Sequence, residues 1–99
     1  MNIKISSVHF DADKKLLDFI ESKVSKMNQY FDGIVGAEVI LKIEKISQEE
    51  NKLAEIKLEV PGNDLFAKKQ AKTFEESIDT TLDALKKQLT KHKEKLKGL

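Results

Sequence analysis

Apolar residues in this 99-residue chain recur at two different spacings, and the order of those spacings restricts the fold more than any other feature. Four segments alternate apolar and polar side chains, which is typical of strands that bury one face. Two segments place apolar residues three and four positions apart, which is typical of amphipathic helices. In chain order, the predicted elements are strand 2–7, helix 14–30, strand 37–44, strand 54–60, strand 65–71 and helix 73–96.

The order β-α-β-β-β-α predicts an α+β fold in one domain that covers residues 1–99. A strand–helix–strand opening implies a right-handed crossover between parallel neighbours. The two hairpins that follow must be antiparallel, so the four-stranded sheet is mixed. Each helix has a single apolar stripe, and both stripes have to be buried against the sheet. The chain is therefore expected to form a two-layer sandwich with both helices on one sheet face.

Local signals define the ends of these elements. Asp13 is a favourable N-cap for the first helix, and Thr73 with Glu76 forms a T-x-x-E capping box for the second. A polar hairpin loop is predicted over 47–52 and a turn over 61–64. The residues expected to face the core are Leu16, Ile20, Val24, Met27, Phe31, Ala37, Val39, Leu41, Ile43, Ala54, Ile56, Leu58, Val60, Leu65, Ala67, Ala71, Phe74, Ile78, Leu82, Leu85, Leu89 and Leu96.

The composition argues against an enzyme. There is no cysteine, which removes thiol nucleophiles, disulfides and thiolate metal sites, and no P-loop, dinucleotide fingerprint, zinc spacing or nucleophile elbow occurs. His9 and His92 lack patterned partners, and His92 falls at the edge of an apolar stripe, where a packing role is expected. No apolar run approaches the roughly 20 residues that span a bilayer, and the first residues indicate a strand rather than a signal peptide. We expect a cytoplasmic protein without catalytic residues, cofactor, metal or membrane partner.

Positive charge is concentrated in the last helix. Residues 84–99 contain six lysines and one acid, whereas the preceding 83 residues contain 12 lysines and 16 acids. The six lysines are Lys86, Lys87, Lys91, Lys93, Lys95 and Lys97.

Two explanations of these lysines remain open. Basic residues near a helix C-terminus favour the helix dipole by about 0.3–1 kcal/mol each, but this effect does not reach Lys86 and Lys87, which lie about three turns earlier. The alternative is a phosphate-binding surface. Lys23 and Lys26, on one flank of the first helix with Tyr30, could share a groove with that surface.

All 18 basic residues are lysine. Because lysine lacks the planar fork of arginine, contacts with nucleic acid are expected to read backbone position and shape rather than base sequence. A platform that stacks bases on the outer sheet face would need exposed aromatic residues. Phe66 is the aromatic residue expected there, with Ile40 nearby, which argues against a platform for single strands.

The segment Ile78–Lys95 (IDTTLDALKKQLTKHKEK) carries a resemblance to a known family, together with the Lys23–Met27 segment that leads to Tyr30 and Phe31. With the β-α-β-β-β-α order and the length, it resembles the short form of the ribosome hibernation promoting factors. These are also called ribosome-associated translation inhibitors or sigma factor modulation proteins. The match covers nearly the whole chain.

The resemblance implies a bacterial protein that binds the small ribosomal subunit during slow growth or stress. Family members occupy the channel for messenger RNA and transfer RNA between head and body, block initiation and promote hibernation. Small-molecule substrates are not implied, and pairing of whole ribosomes is expected to need a separate dimerising factor. The family usually has arginines at some contact positions, which this chain lacks. The expected ribosomal RNA contacts are Lys23, Lys26, Lys86, Lys87, Lys91, Lys93 and Lys95, assisted by Lys68 and Lys69 of the edge strand.

Two other functions remain as alternatives. A partner-binding or homodimerising module could use Ile40 and Phe66 on the open sheet face, with lysines that serve solubility alone. A double-stranded-RNA-binding-like domain shares the helix-on-sheet architecture, but it would bind free duplex RNA.

Overall fold

The computed structural model describes residues 1–44 and 49–96, with the backbone alone for Leu96. The predicted roles of Lys97, of the Leu96 side chain and of the first part of the loop 47–52 fall outside this description. The elements are β1 (Asn2–Ser7), α1 (Lys14–Ser25), a 3₁₀ segment (Lys26–Gln29), β2 (Gly36–Ile43), β3 (Lys52–Val60), β4 (Asn63–Ala71) and α2 (Phe74–Leu96). This order confirms the β-α-β-β-β-α prediction.

The four strands form one mixed sheet in the order β1-β2-β3-β4. β1 pairs with β2 in parallel, since α1 carries the chain back between them, and the two hairpins β2–β3 and β3–β4 are antiparallel. In the second hairpin Val60 pairs with Asn63, so the turn consists of Pro61 and Gly62. Gly62 has φ +85°, which glycine adopts without steric cost. β4 therefore begins two residues earlier than predicted.

Both helices pack on the same sheet face, as expected for a two-layer sandwich. α2 lies over β3 and β4, and α1 contacts α2 and β1. The buried Thr81 hydroxyl donates to the Ser77 carbonyl at 2.6 Å and lies 3.4 Å from the Ala54 carbonyl of β3. Among the described helices, none is long and apolar enough to cross a bilayer. The fully buried side chains that join the layers include Ile20, Val24, Val39, Leu41, Ile56, Leu58, Ile78, Leu85 and Leu89.

One predicted core position is wrong. Ile43 is 42% exposed, although its side chain has the same alternation as Val39 and Leu41. It occupies the last position of β2, and it lines a surface depression with Val8 and His9 instead of lying beneath the helices.

α1 ends earlier than the predicted boundary at Tyr30. The regular helix stops at Ser25, whose hydroxyl donates to the carbonyls of Glu21 and Ser22. Such back-bonding competes with the helical hydrogen-bond pattern and often bends a helix. The chain then tightens into the 3₁₀ segment, and Tyr30 N–H bonds to the Met27 carbonyl at 3.0 Å.

The N-cap of α1 provides a test of local stability. Asp13 Oδ1 accepts a hydrogen bond from Leu16 N at 2.8 Å. Asp13→Ala removes that acceptor, and we expect a loss of about 1 kcal/mol, or about 4–8 °C in Tm. Thermal denaturation followed by circular dichroism measures the change. Asp11→Ala, at an exposed carboxylate two residues earlier, is the control and should leave Tm almost unchanged.

Candidate nucleic-acid interface

Helix α2 spans 23 residues, a length of about 35 Å, and exposes lysines along its second half. Lys87, Lys91, Lys93 and Lys95 are exposed, and none of them takes part in an ion pair within residues 1–44 and 49–96. We refer to these four residues with Lys86 as the lysine surface. Its charges remain available to a partner.

A groove separates the end of α1 and the 3₁₀ segment from α2. This interhelical groove has a volume of about 370 Å³. It brings Lys23, Lys26 and Lys86 together, which is the arrangement that the flank pattern of the two helices suggested. The lining residues are Lys23, Lys26, Met27, Gln29, Tyr30, Asp79, Leu82, Asp83 and Lys86.

Lys23 is partly neutralised inside this groove. Its Nζ lies 3.4 Å from Asp79 Oδ1, and the two side chains are 40% and 51% exposed. An ion pair with this exposure contributes little to stability because water screens it. The Lys23 ammonium also lies 5.5 Å from the centroid of the Phe19 ring. Asp79 is thus a partner of one of the predicted contact residues.

Lys86 is positioned by an aromatic ring. Its Nζ lies 4.6 Å from the centroid of Tyr30, within the range of a cation–π contact. Interaction with the Tyr30 hydroxyl raises the pKa of Lys86 above its ordinary 10.5, and the charge of Asp83 contributes in the same direction. The Tyr30 ring thus holds the Lys86 ammonium at the interhelical groove.

A second groove lies on the opposite flank of α2, beside β4. Lys91 and Lys95 line it with Asn63 and Leu65, so these two lysines lie beside the edge strand. Gln88 Nε2 donates to the Phe66 carbonyl at 2.9 Å. This bond ties α2 to the edge strand and fixes the orientation of the lysine surface.

The two edge-strand lysines lie on opposite faces of the sheet. Lys68 pairs in register with Glu55 on the open face, whereas Lys69 pairs with the buried Ala54 on the helix face. Lys69 therefore shares a side of the molecule with α2, and Lys68 does not.

His92 has the packing role that its position in the apolar pattern indicated. Its ring meets Phe31 edge-on, with centroids 5.4 Å apart and an interplanar angle of 63°.

The open sheet face has a small apolar patch. Phe66 is 51% exposed and shares a shallow depression with Ile40. The ion pairs Lys57–Glu38 at 3.8 Å and Lys42–Glu55 at 2.9 Å lie on the same face.

Sequence reasoning missed the roles of Tyr30, Asp79, Asp83 and Gln88. A signal for Asp79 and Asp83 is present, since they recur with Lys86 at spacings of four and three and so share a flank of α2. Tyr30 lies on the same flank as Lys26. The role of Gln88 depends on a contact with a strand 22 residues away, for which the sequence contains no local signal.

Comparison with known proteins gives consistent similarities over the whole chain. Residues 3–97 match the family described as "Sigma 54 modulation protein / S30EA ribosomal protein". The chain is 33% identical over 99 residues to a ribosome hibernation promoting factor of Pseudomonas putida, covering all of this chain and 93% of the relative. It is 35% identical over 97 residues to a protein of the same name from Klebsiella oxytoca, covering 98% of each. The crystal structure of the Thermus thermophilus Protein Y N-terminal domain superposes with a TM-score of 0.78 at 25% identity, covering 93% of this chain and 99% of that one. The structural match covers 93% of this chain, and the match to the Pseudomonas putida relative covers all of it.

Proposed function

The chain belongs to the Sigma 54 modulation protein / S30EA ribosomal protein family, and we propose that it is a ribosome hibernation promoting factor. It binds the ribosome and keeps it inactive during slow growth or stress. The similarity to relatives of that name over the full chain supports this proposal. The name of those relatives gives the function class, and the charge arrangement of this chain gives its physical basis.

The proposed partner is the small ribosomal subunit, and the proposed ligand is its RNA. The lysine surface supports this choice because four of its five lysines have no carboxylate partner in the described chain. Lysine side chains contact phosphates as mobile point charges. Lys23, Lys26 and Lys69 lie on the helix side of the molecule and extend the interface, and we assign Lys68 a minor role.

The proposed mechanism is steric occlusion without chemical turnover. The molecule is elongated, with principal extents of 44 × 24 × 18 Å, and the core holds α2 rigidly on β3 and β4. A body of this shape, lodged between RNA elements of the subunit, would occupy the channel that messenger RNA and transfer RNA need. It would act in the cytoplasm, and pairing of whole ribosomes would require a separate factor.

Sedimentation with isolated small subunits tests the proposal. We expect the protein to move with the subunits in a sucrose gradient at low salt and to dissociate as salt increases. For six to ten phosphate contacts, the affinity should fall by about 10³–10⁵ between 50 and 200 mM salt, taking duplex DNA as the guide. Failure to co-sediment at low salt would contradict ribosome binding.

The salt dependence of binding and a comparison with free RNA duplex separate the alternatives. A partner-binding module that used Ile40 and Phe66 would keep its partner at high salt, because an apolar interface is not screened. A double-stranded-RNA-binding-like domain would bind a free RNA duplex as tightly as it binds the subunit.

A further inference from the structure

The interhelical groove differs in charge from the lysine surface. It combines the three ammonium groups of Lys23, Lys26 and Lys86 with the carboxylates of Asp79 and Asp83. Asp79 pairs with Lys23 at 3.4 Å, but both carboxylates also repel phosphate, which makes the groove less suited to phosphate alone. They do accept hydrogen bonds from the amino groups of nucleobases. The mixed lining suits a ligand that carries both a negative charge and N–H donors.

The groove also offers a surface for an aromatic ring. Tyr30 is 40% exposed at its rim, and Lys86 contacts the same ring. The buried side chains of Met27 and Leu82 form an apolar floor. A volume of about 370 Å³ lies within the range of pockets that hold small ligands. Bases stack readily on exposed tyrosine rings in single-stranded complexes.

We infer that the interhelical groove binds one unpaired nucleotide and prefers guanine. The base stacks on the Tyr30 ring in place of the Lys86 ammonium, which turns to the phosphate together with the other two lysines. The N1–H and the exocyclic amino group of guanine donate to Asp79 and Asp83. Uracil lacks an exocyclic amino group and binds least well. This inference rests on the proposed RNA-binding function and adds a base-reading site, which the all-lysine composition did not suggest.

The single tyrosine makes the site directly observable. The chain contains one Tyr and no Trp, so NMR of the protein with ring-labelled tyrosine gives one set of signals. Titration with GMP, AMP, CMP and UMP should shift these signals upfield as the base stacks. We expect GMP to bind at least about fivefold more tightly than UMP, which is about 1 kcal/mol. Equal affinities for the four nucleotides, or no shift of the tyrosine signals, would overturn the inference.

Short oligonucleotides identify the source of the nucleotide. The pentamers UUGUU and UUUUU compare a guanine within a strand with a strand that lacks it. Tighter binding of UUGUU than of both GMP and UUUUU supports a nucleotide within RNA. If UUGUU binds no better than GMP, a free guanine nucleotide is the ligand. If the two pentamers bind equally, the inference fails.

Removal of the carboxylates separates base reading from overall charge. We expect Asp79→Asn with Asp83→Asn to raise the affinity for all four nucleotides, because two negative charges are lost, and to abolish the preference for guanine. Glu21→Gln with Glu75→Gln, at exposed acids outside the groove, makes the same charge change and should retain the preference. If the preference survives in the groove variant, the two aspartates do not read the base.

The stacking role of Tyr30 has its own pair of variants. Tyr30→Phe should keep nucleotide binding within about threefold, whereas Tyr30→Leu should weaken it about tenfold, as measured by backbone amide shifts of groove residues. Equal effects of the two variants would exclude stacking.

If nucleotides bind without preference while the protein still sediments with small subunits, the guanine site fails and the proposed function stands. If guanine is preferred but the protein does not sediment with small subunits, the guanine site stands and the proposed function fails.

Discussion

Replacement of Lys87, Lys91 and Lys95 together by Glu is expected to weaken binding to the small ribosomal subunit by at least about a hundredfold. Each reversal removes one phosphate contact and adds repulsion. The three side chains are exposed and make no ion pair within residues 1–44 and 49–96. Since they contribute little to folding, the Tm should change by no more than a few degrees. Co-sedimentation and thermal denaturation measure the two effects.

A variant with the same charge change elsewhere is the control. Lys4, Lys15 and Lys72 are exposed lysines outside the lysine surface, and their replacement by Glu also lowers the net charge by six. If binding followed net charge alone, both variants would lose the same affinity. We expect the control to lose less than about tenfold. Unchanged co-sedimentation of the Lys87, Lys91 and Lys95 variant would remove the lysine surface from the interface.

The order of the elements and the sheet topology were predictable because they follow from apolar periodicity, a property of neighbouring residues. The errors occur at the ends of elements, where the apolar pattern alone does not set the boundary. Ile43 continues the alternation of β2 but lies where no helix covers the strand end. The regular part of α1 ends at Ser25 and the chain tightens into the 3₁₀ segment, although the apolar stripe continues to Met27. β4 begins early because Asn63 pairs with Val60 as soon as the two-residue turn allows it.

In the candidate interface, the position of each lysine on its own helix was predictable and the contacts between the helices were not. Helical spacing placed Lys23 and Lys26 on one flank of the first helix, and it suggested that they could share a groove with the lysines of α2. The contacts within the groove depend on how closely the two helices pack. The approach of Asp79 to Lys23 within 3.4 Å, and of Lys86 to the Tyr30 ring within 4.6 Å, connects residues more than 50 positions apart. Helical spacing predicts which residues share a flank of one helix, but it does not specify which residue of the other helix each of them meets.

Leu89→Ala is expected to lower the stability of the protein and to leave its affinity for small subunits nearly unchanged. This is the opposite pattern to that of the lysine reversals. Leu89 is fully buried in the same stretch of α2 that carries the lysine surface. Its truncation should cost about 3–4 kcal/mol, from lost burial and the cavity left behind. This is a large fraction of the 5–15 kcal/mol that stabilises a typical domain, and it should lower Tm by roughly 15 °C. Thermal and urea denaturation measure the loss.

The neighbouring exposed Thr90 provides the matched control. Thr90→Ala removes a hydroxyl that bonds back to the Lys86 carbonyl at 3.0 Å, and its Tm should stay within a few degrees of the parent. At low temperature, where the Leu89→Ala protein is still folded, its affinity for small subunits should fall less than about threefold, because no cationic group has been lost. A hundredfold loss under those conditions would mean that packing beneath α2, and not its exposed charge, determines binding. Leu89→Ala thus tests the packing that stabilises α2, and the lysine variant tests the charges of α2 that we propose contact RNA.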